Sequence, residues 1–322
     1  MMSKDLLLRE ARVNNYKPEI LEKVYRLLTT LDQFMSVPYL RERLVLKGGT
    51  ALNLFYFDEV PRLSVDIDLN YIGQLERESM LKERPLINDA INQILQQNRF
   101  ELDRNPTHHA GGKMVWRYPS LLGQKGNLEI DLNYMYRQPL WPVKLLIPKI
   151  PFEKTIHVPV LDIHELAAGK LSALYSRTAS RDLFDAHYLL TKCDIDAKKI
   201  RTAFVTYLAM TEIELPNLTP QYIEYNILDI RNRLFPVMRQ LELPRGQPDL
   251  KKWATKTLNE LHEALSIVIP LNEAEIEFIS LIRESGEIKP RLITSDKHLI
   301  QAIQMHPAIV WVTKKPKQKS EG

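Results

Sequence analysis

The segment RLSVDIDLNYI, residues 62–72, reads as a buried strand that carries two acids. Alternation along a strand sends Val65, Ile67 and Leu69 to one face and Asp66, Asp68 and Asn70 to the other. Two carboxylates sharing a face raise each other's pKa and cost stability, and a hard divalent cation held by oxygen ligands relieves that cost. An isolated Asp-x-Asp reads first as a solvated strand end. Here, however, the pentapeptide IDLNY occurs twice, at residues 67–71 and again at 130–134 within NLEIDLNYMY. In the second copy Leu128, Ile130 and Leu132 form the apolar face, and Glu129 and Asp131 the opposite one. If the two strands pair in one sheet, Asp131 joins Asp66 and Asp68 as a third carboxylate. Similar burial alone also produces similar letters, so the repeat does not by itself establish the pairing.

Upstream, LVLKGGTALNLFYF (residues 44–57) predicts a strand over 44–46, a turn at Gly48 and Gly49, and a helix opening at Thr50 with its hydroxyl as the N-cap. A glycine pair between strand and helix lets the backbone approach a phosphate, to which helix N-terminal amides and the Thr50 hydroxyl can donate. Glycine turn, helix, then Asp-x-Asp is the order in which a phosphate cradle and metal ligands occur in nucleotidyl transfer sites. The first forty residues have the spacing of one or two amphipathic helices, and residues 79–97 that of another. RFELDR, KMVWRY and NLEIDLNYMY read as three strands, the first two joined across NPTHHAGGK. From Asp162 onward the pattern is mostly helical. The proline-rich run IPKIPFEKTIHVPV (147–160) marks a boundary between a domain of residues 1–155 and a mainly helical domain of residues 156–322. The predicted class is α+β, a mixed sheet flanked by helices followed by a helical C-terminal domain.

Composition is that of a globular protein: 322 residues, 44% hydrophobic and 26% charged, with a net charge of +4 that permits a polyanionic partner without requiring one. The single cysteine, Cys193, excludes an internal disulfide framework and a cysteine-based zinc site. The N-terminal stretch shows no basic region followed by an apolar core, and no apolar run is long enough to span a bilayer, so a cytoplasmic location is expected and no membrane partner.

A second group of residues lies downstream. DIHELAAGKLSALYSR (162–177) reads as a helix with a capping box from Asp162 and Glu165, with Lys170 beside its apolar side. SRDLFDAHYLL follows as a helix with Asp182 in its first turn and Asp185 one turn on. On composition these are a surface lysine and acids favoured by the helix dipole.

The stretch LKGGTALNLFYFDEVPRLSVDIDLNYIG, with ELAAGKLSALYSRTASRDLFDAHYLL and HPAIVW, resembles the AbiEii/MenT family of nucleotidyltransferase-like toxins, part of the polymerase-beta-type nucleotidyltransferase superfamily. Gly49-Thr50 stands where the superfamily usually has Gly-Ser. The resemblance implies a nucleotidyltransferase-type sheet and transfer of a nucleoside monophosphate from an NTP to an acceptor hydroxyl, the 3′ end of tRNA, with arrest of translation and growth. It implies Mg²⁺ (or Mn²⁺) on Asp66 and Asp68, with Asp131 as a further ligand or the base. It further implies Lys170, matching the third motif, on the NTP phosphates, and Asp182, with Asp185 close behind, as the fourth-motif acid. Arg62 and Ser64 are added candidates for phosphate contact beside Gly48, Gly49 and Thr50. A cognate antitoxin is expected, and the resemblance leaves open whether it binds the toxin directly.

Other features carry less. His108-His109 reads as a polar loop tip. Trp116, Tyr118, Tyr134 and Tyr136 are aromatic residues of strands that pack a sheet or stack on a base, and KKPKQKSEG reads as a solvated basic tail. Two other functions use the same acids differently: a metal-dependent nuclease, which shortens RNA without consuming NTP, and a non-catalytic scaffold that binds RNA or protein.

Overall fold

The computed structural model describes residues 2–105, 111–152 and 154–314; His108, His109 and the tail beyond Lys314 lie outside them. The chain divides into two units, one of Met1–Arg137, Val143–Asp162 and Asn226–Ala254, the other of Gln138–Pro142, Ile163–Tyr225 and Thr255–Gly322.

The first unit carries seven strands: β1 (Leu44–Lys47), β2 (Asp66–Tyr71), β3 (Glu101–Arg104), β4 (Gly111–Pro119), β5 (Lys125–Asn133), β6 (Lys144–Leu146) and β7 (Val158–Val160), in one mixed sheet of order β3-β4-β5-β2-β1-β7-β6. The two IDLNY copies sit at its centre. β2 and β5 run parallel, with Ile67 opposite Ile130, Asp68 opposite Asp131, Leu69 opposite Leu132 and Asn70 opposite Asn133. Parallel strands are normally buried on both faces. These two bury only one: Ile67, Leu69, Leu128, Ile130 and Leu132 are buried, whereas Asp66, Asp68, Glu129 and Asp131 stay partly exposed. Each fully buried aliphatic chain contributes about 1.5–3 kcal/mol, so a one-residue slip of β5 against β2 would turn this set outward and is strongly disfavoured.

Helix α1 (Lys4–Asn14) is capped by Ser3, and α2 (Pro18–Ser36) buries Leu21, Val24, Leu27, Leu28, Leu31 and Phe34 at helical spacing. The short α3 (Pro38–Arg41) precedes β1. Within α2, buried Glu22 accepts from the Ser120 hydroxyl (2.6 Å) and the Leu121 amide (2.9 Å), which fixes the β4–β5 turn. Trp116, Tyr118 and Tyr134 are buried, so these aromatic residues pack the sheet.

One local expectation fails. The turn after β1, α4 (Gly48–Ala51), starts at Gly48 with Lys47 in the N-cap position, and Thr50 lies inside the turn. Gly48 adopts φ +73°, and this left-handed residue lets the chain turn directly out of the strand, three residues earlier than a threonine cap would allow. A longer helix, α5 (Arg77–Gln97), follows β2.

In the second unit, α6 (Ile163–Arg177), α7 (Ser180–Lys192) and α8 (Ala197–Ala209) pack around Leu171, Leu174, Leu183, Phe204 and Leu208. Glu165 is buried and accepts from the Leu140 amide (2.8 Å) and the Trp141 amide (3.2 Å).

Candidate active site

The polar face of the central strands gathers the acids read from the sequence. Asp68 lies between Lys47 of β1 and Asp131 of β5, each its direct cross-strand partner, while Asp66 has Glu129 beside it. Residues directly opposite across paired strands share a face. The Lys47 ammonium lies 3.7 Å from Asp131 Oδ2, and Lys113 of β4, opposite Asp131 in register, holds Glu129 Oε2 at 2.6 Å. Asp66 titrates above the ordinary carboxylate range. Burial is the main cause; Lys23 works against it, and the neighbouring charges of Asp68 and Glu129 add to it.

The glycine turn closes on this face. A β-carbon at Gly48 would stand 2.1 Å from Asp68 Oδ2, so only glycine leaves room for the carboxylate. Thr50 is fully buried; its hydroxyl donates to the Asp66 carbonyl and lies 3.0 Å from the Ser64 hydroxyl, tying the turn to the start of β2. Gly49 is buried in the same turn, and its carbonyl accepts from Asn53 Nδ2 at 3.0 Å. Arg62 is buried, pairs through its backbone with Met238 and donates from its guanidinium to the Leu63 carbonyl.

In the second unit Lys170 and Asp182 meet. The Lys170 ammonium lies 2.8 Å from Asp182 Oδ1 and 2.9 Å from Asp185 Oδ2, and Arg177 Nε lies 2.7 Å from Asp182 Oδ2. Burial alone would raise the pKa of Asp182, but Lys170 and Arg177 outweigh it and hold the carboxyl below its usual range. Sequence reasoning missed Arg177. It stands seven residues after Lys170, hence on the same face of α6, while Asp182 and Asp185 share a face of α7 by their three-residue spacing. Lys47 and Lys113 were missed too. The first was visible as the residue before the glycine pair; the second depends on the register of β4 against β5.

A sequence model of the nucleotidyl transferase AbiEii toxin family, of type IV toxin–antitoxin systems, matches residues 29–260, a span that takes in both groups of residues. The chain belongs to the AbiEii family. Its fold is similar to that of MenT4, a nucleotidyltransferase toxin of Mycobacterium tuberculosis H37Rv, with a TM-score of 0.56 and 16% identity over 96% of this chain and 99% of that one. No curated protein sequence matches it. As an AbiEii protein it is a nucleotidyltransferase toxin, of a family that generally uses an NTP and a divalent metal and is paired with an antitoxin. No helix among the described residues is long and apolar enough to cross a membrane.

The donor set suits such a metal in kind: Asp66, Asp68 and Asp131 offer hard oxygen ligands from adjacent strands, over a glycine whose missing β-carbon leaves room beside Asp68. Among the described residues no three carboxylate, histidine or cysteine side chains converge as a ligand group. Lys47 and Lys113 instead compensate the acids, as ammonium groups do for carboxylates that a metal would otherwise neutralise.

Proposed function

We propose that this AbiEii protein transfers a nucleoside monophosphate from an NTP to the 3′ end of tRNA in a Mg²⁺-dependent reaction, and so blocks translation. The observation that carries the reading is the in-register pairing of the two IDLNY segments, which sets Asp68 beside Asp131 with Gly48 packed against Asp68. Asp66 and Asp68 would hold Mg²⁺, which when bound neutralises triphosphate charge and lowers the pKa of an attacking hydroxyl, and Asp131 is either a further ligand or the base. The chain's own groups do the rest. Backbone amides of the Gly48–Thr50 turn bind phosphate oxygens, aided by Ser64 and Arg62 as supports of the turn and strand. With Asp131 as the base, it accepts the proton of the acceptor hydroxyl as that hydroxyl's oxygen bonds to the α-phosphorus; the bond from the α-phosphorus to the bridging oxygen breaks and pyrophosphate leaves.

The test uses tRNA whose terminal ribose diol has been oxidised with periodate. Wild-type protein with Mg²⁺ and labelled NTP should label intact tRNA and leave oxidised tRNA unlabelled, and chelation of Mg²⁺ should stop the reaction. Equal labelling of both would exclude the 3′ end as acceptor, and shortened RNA without NTP consumption would indicate a nuclease.

A further inference from the structure

Four strands contribute one straight row to the polar face. Lys47 (β1) faces Asp68 (β2), Asp68 faces Asp131 (β5), and Asp131 faces Lys113 (β4). With adjacent strands about 4.8 Å apart, the two lysines anchor at points about 14 Å from each other, on opposite sides of the acids. The two ends of the row are not equivalent. At the Lys47 end the chain runs directly into the glycine turn. At the other end Lys113 follows Gly111 and Gly112 within β4, and its ammonium is half exposed and held against Glu129 at 2.6 Å.

On the transfer reading above, this asymmetry has a direction. In-line displacement places the attacking and leaving oxygens on opposite sides of the phosphorus. A triphosphate seated on the glycine turn sends its pyrophosphate out at the Lys47 end, so the acceptor hydroxyl approaches from the Lys113 end. A 3′-terminal nucleoside brings its own 5′ phosphodiester with it. We propose that Lys113 binds this first phosphodiester of the acceptor strand and thereby positions its terminal hydroxyl at the acids.

The chemistry of the group fits. An ammonium carries three donors, and Glu129 engages one position while fixing where the others point. Four residues along the same strand, Arg117 presents on the same face opposite Asn127, to which Lys23 Nζ donates at 3.2 Å. Arg117 is held by Asp103 at 2.7 Å, as Lys113 is by Glu129, so each cation of this face of β4 already carries one acidic partner.

The experiment measures transfer from labelled NTP to tRNA by the full-length protein, with KM determined separately for tRNA and for NTP. Lys113→Gln should raise KM for tRNA about tenfold, uniformly across tRNA sequences, and leave KM for NTP within twofold. The slope of log affinity for tRNA against log salt should fall by about 0.7, the share of one phosphate contact on a single strand. Lys113→Arg should restore both. A rise in KM for NTP instead, or no change in either constant while the wild type transfers normally, would overturn the assignment alone. A wild type that transfers nothing from any NTP would overturn the transfer reading, and this assignment with it.

Discussion

Gly48→Ala separates a catalytic arrangement from an ordinary turn. Gly48 holds φ +73°, where a residue with a β-carbon costs about 1–2 kcal/mol. The added carbon would also stand 2.1 Å from Asp68 Oδ2, 2.8 Å from its Cγ and 2.9 Å from its Cβ, whereas ordinary contact begins near 3.4 Å. Asp68 therefore has to retreat by about 1 Å, and a displacement of that size at reacting groups costs about 10²-fold in rate. Because Asp68 is only partly buried, it can move toward solvent, and the stability loss stays close to the backbone cost, about 2–8 °C in Tm. Transfer of labelled nucleotide to tRNA, beside thermal unfolding followed by circular dichroism, reads both quantities. A folded variant that retains transfer within threefold of wild type would refute the idea that Asp68 must sit where only glycine admits it.

Three further outcomes follow from the same geometry. Burial keeps Asp66 protonated above the ordinary carboxylate range, so the folded state holds a proton that the unfolded chain has released, and stability falls as pH rises from about 3.8 through the raised pKa. Asp66→Asn should accordingly raise Tm at pH 7 while abolishing transfer; a lower Tm would contradict the sign. Asp182 has the opposite sign: its lowered pKa gives stability that is complete above about 3.8 and is lost as pH falls through the folded value, and Lys170→Ala, which takes the shared ammonium from the buried Asp182 and Asp185, should cost about 3 kcal/mol in urea unfolding at pH 7. Thr50→Val removes the hydroxyl joining the glycine turn to β2 and should cost about 1–2 kcal/mol, with a loss of transfer that Thr50→Ser restores.

The central strands were legible because period-two alternation is strict in both IDLNY segments and one apolar face had to be buried. The sequence could pose the pairing only as a condition; the parallel register that sets Asp68 against Asp131 comes from long-range packing. The start of α4 was misplaced because Thr50 is a good cap by type, while the left-handed Gly48 turns the chain before a cap is needed. Lys113 was invisible for a related reason. In KMVWRY it is one polar residue of an alternating strand, and only the antiparallel register of β4 against β5 brings it to the acids. The contacts of Lys170 with Asp182 and Asp185 were not legible either: by residue type these read as a surface lysine and helix-dipole acids, and only the packing of α6 against α7 brings them together.

The most direct measurement incubates the purified protein with Mg²⁺, total RNA and each α-labelled NTP in turn, beside Asp68→Asn and Asp131→Asn variants whose folding is confirmed by thermal unfolding. The wild type should place label in a tRNA-sized band with at least one NTP, and both variants should lose that label by a factor of about 10² or more. Labelling by folded Asp68→Asn and Asp131→Asn at the wild-type rate would contradict the assignment of the chemistry to the paired acids of β2 and β5.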